Sequence, residues 1–335
     1  MKRTVLFLAL SALAVAMIFV GVARTGLLEA NYEEARVRYG SPPSQFMEID
    51  GTELHYRDEG EGRALVLLHG SRGNLQQWDG WVTELGAEFR IIRLDALGHG
   101  LSGPDGRDDY SAERGIYLLR ELLAALGVER FILGGTSGGA TQAVRYAAMY
   151  PQQVETLLLS TVPLRLPSTS KTRLLDRLTF WIHDEVLGTK GTNLYWRAFL
   201  RSIYGDPGKV TNELIERYRT LNTLPGQERR FRKRIEVWYD SGGPERDYAT
   251  AGKVTAPTFI QWGGSGPVLP AELFCEIAAA FSSTSPRMVQ YSDLGHKLIM
   301  EDAVRTARDA LAFVKTGAVG EACEPADAGR DATAK

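Results

Sequence analysis

A side chain that attacks an acyl carbon needs a hydroxyl held out on a turn, a base to take its proton, and donors for the charge that develops. Residues 131–139, F-I-L-G-G-T-S-G-G, offer the first of these. Gly135, Thr136, Ser137, Gly138 and Gly139 fit G-x-S-x-G. The run before them suits a buried strand, and the run at 140–149 suits a helix. Strand, sharp turn and helix is the context in which this pattern presents a nucleophile. The glycines have a steric reason: a strained turn lets strand and helix approach only where side chains are missing. A chemically idle glycine-rich loop is the plainer alternative, and the flanking elements weigh against it. For the base, five histidines are available: His55, His69, His99, His183 and His296. None forms an H-E-x-x-H pair, and the two cysteines, Cys275 and Cys323, suggest neither a metal site nor a disulfide framework. No metal is expected.

The elements that must position Ser137 can be read from hydrophobic pattern. Short strands are expected at 45–49, 53–58, 64–68, 90–95, 154–161, 258–262 and 288–291, the first two split by the hairpin turn Asp50-Gly51. Helices are expected at 75–85, 111–126, 271–281 and 302–314. Strands rich in Val, Ile and Leu that alternate with helices predict an α/β fold, a mostly parallel sheet with flanking helices. Ligands in such sheets bind beyond the carboxyl ends of the strands, where Ser137 and His69 both fall. From 163 to 253 the pattern changes to helices alone, at 172–187, 193–203, 212–221 and 227–239, which reads as a helical cap inserted into the sheet domain. The basic cluster Arg229, Arg230, Arg232, Lys233 and Arg234 reads as a solvated helix face.

The core is therefore expected at 44–162 and 254–316, with a linker at 25–43 and a disordered tail at 317–335. A net charge of −2 over 335 residues gives no case for a nucleic-acid partner. Lys2 and Arg3 precede an apolar run from 5 to 23, broken only by Ser11 and Gly21. About twenty apolar residues span a bilayer. Residues 1–24 are thus expected to be a transmembrane signal anchor, giving a single pass through the cytoplasmic membrane with the catalytic domain outside it. Cleavage near Gly21-Val22-Ala23, yielding a secreted protein, is the alternative.

The ordered motifs resemble the α/β-hydrolase superfamily, in its serine-nucleophile, helical-cap branch, over residues 45–313. Ser137 resembles the nucleophile and Gly295-His296 the base before the last helix. His69-Gly70, with Trp78 following, resembles the oxyanion loop; Asp95 and Gly98-His99-Gly100-x-Ser102 resemble the loop after the next strand. The resemblance implies that Ser137 attacks, that His296 shuttles the proton, and that the Ser71 and Gly138 N–H groups form the oxyanion hole. It implies backbone-shaping roles for His69 and His99. The expected activity is hydrolysis of an ester, lactone or related acyl bond of a small, partly apolar substrate, with no cofactor. One position departs from the family. Relatives read W-G-x-x-D-x-x-x-P, with the aspartate completing the triad, whereas Trp262-Gly263-Gly264-Ser265-Gly266-Pro267-Val268-Leu269-Pro270 puts Gly266 there. Three alternatives stay open: a carboxylate from Asp293, Asp240, Asp247 or Glu272, a Ser137–His296 dyad, or an impaired homologue that binds a small apolar ligand.

Overall fold

Side chains alternate between the two faces of a strand, so a short strand that is apolar throughout must be covered on both sides. β3 (Ala64–Leu68) is buried along its whole length. Its Ala64, Val66 and Leu68 join one core cluster. Its Leu65 and Leu67 join the other. The same division runs through β4 (Arg90–Leu94), β5 (Phe131–Thr136), β6 (Val154–Ser160) and β7 (Thr258–Gly263). With β1 (Ser44–Ile49), β2 (Thr52–Glu59) and β8 (Arg287–Tyr291) they form one eight-stranded sheet of order β1-β2-β4-β3-β5-β6-β7-β8. β2 is antiparallel to both neighbours, and every other pairing is parallel. This computed structural model describes residues 29–164, 191–265 and 273–321, with scattered positions between 4 and 21.

The sheet has helices on both faces, as expected for an α/β-hydrolase fold. Among the described residues they are α1 (Tyr32–Tyr39), α2 (Asp79–Leu85), α3 (Ala112–Ala125), α4 (Gly138–Met149), α5 (Asn193–Ile203), α6 (Asn212–Asn222), α7 (Gln227–Asp240), α8 (Gly243–Ala251), α9 (Leu273–Ala279), α10 (Leu298–Glu301) and α11 (Ala303–Thr316). Helices α5 to α8 fall in the interval expected as a cap; the helix expected at 172–187 lies outside the described residues. Within the stretch expected as a linker, α1 is a helix. Asn31 caps it by accepting from the Glu34 N–H at 3.1 Å, and Ala35 and Tyr39 pack with Leu101, Leu221 and Leu224. In the stretch expected as a tail, Glu321 pairs with Met288 beside β8. Cys275, on α9, is disulfide-bonded.

The expected membrane anchor is corrected. Among the described residues no helix is long and apolar enough to cross a membrane. The longest, such as α3, hold 14 residues. At about 1.5 Å per residue that is roughly 21 Å, short of the ~30 Å hydrocarbon layer. The transmembrane signal anchor, the single-pass placement in the cytoplasmic membrane and the membrane as a partner therefore have no structural element to rest on, and most of residues 1–24 lie outside the described set.

One carboxylate ties together the loops at the carboxyl end of the sheet. Asp95, fully buried after β4, accepts from the Leu75 N–H at 2.8 Å, the Leu101 N–H at 2.7 Å and His55 Nδ1 at 2.7 Å. Its backbone carbonyl accepts from Ser102 Oγ at 2.7 Å. Gly100 leaves room for this, because a Cβ there would overlap the carboxylate. Removing the carboxylate strands two buried N–H donors and an imidazole, at about 1–3 kcal/mol for each group left unpaired. Asp95→Ala is expected to lose at least about 3 kcal/mol of unfolding free energy in a urea titration, with Asp95→Asn losing less.

Candidate active site

Ser137 stands between the end of β5 and the start of α4 with φ of 52° and ψ of −124°. An L-residue reaches that region only under tension, costing roughly 1–3 kcal/mol. The turn is held by its surroundings. The Ser137 N–H donates to the Ser160 carbonyl on β6 at 2.9 Å, and the Ser137 carbonyl accepts from the Thr141 N–H at 3.1 Å. A Cβ on Gly135 would lie 2.6 Å from the Gly139 carbonyl oxygen. One on Gly139 would overlap the Leu68 and His69 carbonyls. The strand ends and the helix start therefore touch backbone to backbone, which presents the hydroxyl at the sheet's carboxyl end.

His296 meets it there: Nε2 and Ser137 Oγ are 3.0 Å apart. The loop carrying His296 is clamped by its main chain. Its N–H donates to the Ile203 carbonyl at 2.9 Å, and its carbonyl accepts from Thr161 Oγ1 at 3.3 Å. Glu301, buried at the end of α10, accepts from the N–H groups of Gly295 at 3.0 Å and Gly205 at 2.8 Å. That carboxylate joins the histidine loop to the C-terminal end of α5.

Among the described residues the other nitrogen of the ring has no partner. His296 Nδ1 is buried without a hydrogen bond. Withdrawal from water, with the Lys297 charge beside it, pulls the His296 pKa down to about 3. With Nε2 accepting from the serine hydroxyl, the ring proton sits on Nδ1 and faces no acceptor. The carboxylates considered for this role are engaged elsewhere or lie outside the described residues. Asp293 is exposed and pairs with Arg305 at 2.9 and 3.1 Å. Asp247 is fully buried against Arg145 Nε and accepts from Trp238 Nε1 at 2.8 Å. Asp240 ends α7 on the exposed side. Glu272 and Gly266 lie outside the described residues.

Ser71, Ser137 and Gly138 share the floor of a cavity of about 130 Å³. A Cβ on Gly138 would lie 3.5 Å from the Ser71 nitrogen, so the two N–H groups are neighbours. Among the described residues neither donates within the protein outside helices. His69 shapes this loop: Nδ1 meets the Gly70 carbonyl at 2.8 Å, and Nε2 accepts from the Ala96 N–H at 2.9 Å. Burial pulls its pKa down to about 4, so it stays neutral.

Two cavity residues were missed by the sequence reading, which did not name Arg145 and took Arg234 as part of a solvated helix face. Arg145 lies on α4 and Arg234 on α7, with Ile235 and Trp238 beside the latter. Charge count alone groups Arg234 with its basic neighbours. The signal was spacing: 231, 234, 235 and 238 fall on one helical face, with Phe231 and Trp238 marking it as inward.

Comparison with known proteins agrees with this architecture. Residues 63–189 match the family described as alpha/beta hydrolase fold. An uncharacterised protein of Mycobacterium bovis is 37% identical over 124 residues, which is 37% of this chain and 36% of that protein. The chain thus spans little more than a third of the length of the first curated relatives it matches. A 2-hydroxy-6-oxononadienedioate/2-hydroxy-6-oxononatrienedioate hydrolase of Paraburkholderia xenovorans is 27% identical, covering 81% of this chain and 95% of the relative. Among solved structures, a bacterial membrane phospholipase A superposes with a TM-score of 0.67 at 22% identity, covering 94% of this chain and 98% of that one. At that identity the likeness is one of fold.

A base with this pKa titrates far from the usual histidine range, and kcat/KM reports the free protein. If His296 is the base, kcat/KM for a 4-nitrophenyl ester should stay level from pH 7 down to about 4. An acid limb at pH 6–7 would contradict the desolvated ring.

Proposed function

We propose, from the premise that this chain is a member of the α/β-hydrolase superfamily, that it is a serine hydrolase acting on an ester, lactone or related acyl bond. The observation that carries the reading is the 3.0 Å approach of His296 Nε2 to Ser137 Oγ on a strained turn. Ser137 Oγ attacks the acyl carbon as His296 Nε2 takes its proton. The oxyanion is held by the Ser71 and Gly138 N–H groups, at about 3 kcal/mol per donor in comparable sites. Collapse expels the alkoxide, which His296 protonates. Water, deprotonated by the same ring, then releases the acid and restores the serine.

The unpartnered Nδ1 sets the rate this machinery can reach. A histidine of low basicity is a poor general base, and among the described residues no carboxylate reaches Nδ1 to stabilise the imidazolium as it forms. Losing the acid's charge from a working triad costs roughly 10⁴ in rate. The reading is therefore a slow dyad. Its rival, an impaired homologue that binds a small apolar ligand, draws on the same bare nitrogen.

Steady-state hydrolysis of 4-nitrophenyl hexanoate separates the two. Native protein is expected to turn over measurably and Ser137→Ala to lose at least 10²-fold. Gly266→Asp, which supplies a carboxylate at the position where relatives carry one, is expected to raise kcat/KM at least tenfold and to move the acid limb upward. A native protein no faster than Ser137→Ala would favour the binding protein.

A further inference from the structure

We propose that Arg234 and Arg145 form an anion subsite in the cavity beside Ser137, and that the substrate is an acyl compound carrying a second, ionised carboxylate. This rests on the reading of Ser137 as nucleophile. The motivating fact is a charge imbalance. Among the described residues, Arg145 pairs with a single acid, Asp247, whose oxygens are divided between Arg145 Nε and Trp238 Nε1, and no acid pairs with Arg234. Arg145 is 4% exposed, and its Nη2 is buried with no hydrogen bond. A buried guanidinium donor without an acceptor is costly, and a ligand carboxylate removes that cost.

Arg234 is less balanced still. Its guanidinium lies 3.2 and 3.4 Å from the nitrogens of His99. Burial, reinforced by Arg234, holds the His99 pKa well below the ordinary value, so this neighbour is neutral and offsets no charge. Burial, with Arg145 adding to it, also draws Arg234 down to about 10, which leaves it cationic at neutral pH.

The surrounding cations behave differently. On the outer side of α7, Arg229 and Lys233 pair with Asp108, and Arg232 pairs with Glu228. Arg72 also pairs with Glu228. On the inward side of this basic helix the one acid that pairs among the described residues is Asp247, already divided between Arg145 and Trp238, so the Arg234 charge is left to the cavity. Arg145 begins about 12 Å from Ser137 along α4. Helical side chains lean back toward the N-terminus, which brings its guanidinium toward the serine. A planar carboxylate matches the guanidinium fork. Placed there, it leaves room for a chain of several carbons between itself and the acyl carbon at Ser137.

Two measurements on the full chain test this. In the first, mono-4-nitrophenyl adipate is compared with 4-nitrophenyl hexanoate, which has the same acyl length and no second carboxylate. The adipate half-ester is expected to be preferred at least tenfold in kcat/KM. Arg234→Gln, and separately Arg145→Lys, which keeps a cation for Asp247, should each cut that preference at least tenfold. In the second, which needs no turnover, adipate should raise the melting temperature saturably and hexanoate should not. Arg234→Gln should weaken adipate binding at least tenfold. If hydrolysis occurs without preference and adipate does not bind, the subsite is wrong and the hydrolase reading survives. If adipate binds through Arg234 and neither ester is cleaved, the subsite stands and the hydrolase reading fails. Should a variant not fold, the native preference and native adipate binding decide.

Discussion

A single residue held where it does not want to be organises this end of the molecule. Ser137 has a positive φ, and without its surroundings the turn would relax and withdraw the hydroxyl. β5 lies centrally in the sheet, so β3 and β6 fix its register on both sides. The hydrogen bond from Ser137 to Ser160 on β6 extends that register one residue past the strand. The missing side chains of Gly135 and Gly139 let α4 start against the ends of β3 and β5. Strain at Ser137 is thus met by the rigidity of the most buried part of the sheet.

His296 is held as firmly but incompletely. Main-chain bonds to Ile203 and Glu301 fix where the His296 loop runs, and the interlocked glycines Gly205, Gly263 and Gly295 leave it little freedom. None of these contacts reaches Nδ1. Position and basicity are therefore separate properties here: the ring is aimed at the serine, while its surroundings lower its affinity for a proton. The cavity has the opposite excess, with more guanidinium than carboxylate. The neutral ring adds no charge, so the guanidiniums of Arg145 and Arg234 set the sign of the cavity, and it is positive.

Much of the sheet was legible because burial on both faces demands uninterrupted apolar strands, and such runs stand out. The placement of Ser137 at a strand end and of His296 in the loop before the last helix followed from short glycine motifs of fixed spacing. What was not legible depended on tertiary context. The helix Tyr32–Tyr39 is polar and is made stable by a cap and two buried contacts rather than by periodicity. The helix Gly243–Ala251 begins with glycine and proline and was not among the helices expected in the cap interval. The membrane anchor was inferred from apolar length alone, and no described helix supplies the span. Arg234 looked like part of a solvated cluster because net charge says nothing about which face of a helix turns inward. Gly266 could be seen in sequence but lies outside the described residues, and the bare Nδ1 needed the packing around the ring.

The central claim is that Ser137 is a nucleophile activated by His296 alone. Intact-mass analysis after exposure to a fluorophosphonate tests it without any assumption about substrate. A single adduct on Ser137, absent in Ser137→Ala and formed at least tenfold more slowly in His296→Gln, is the predicted result. No adduct under conditions that label a control esterase, or labelling indifferent to His296, would contradict it.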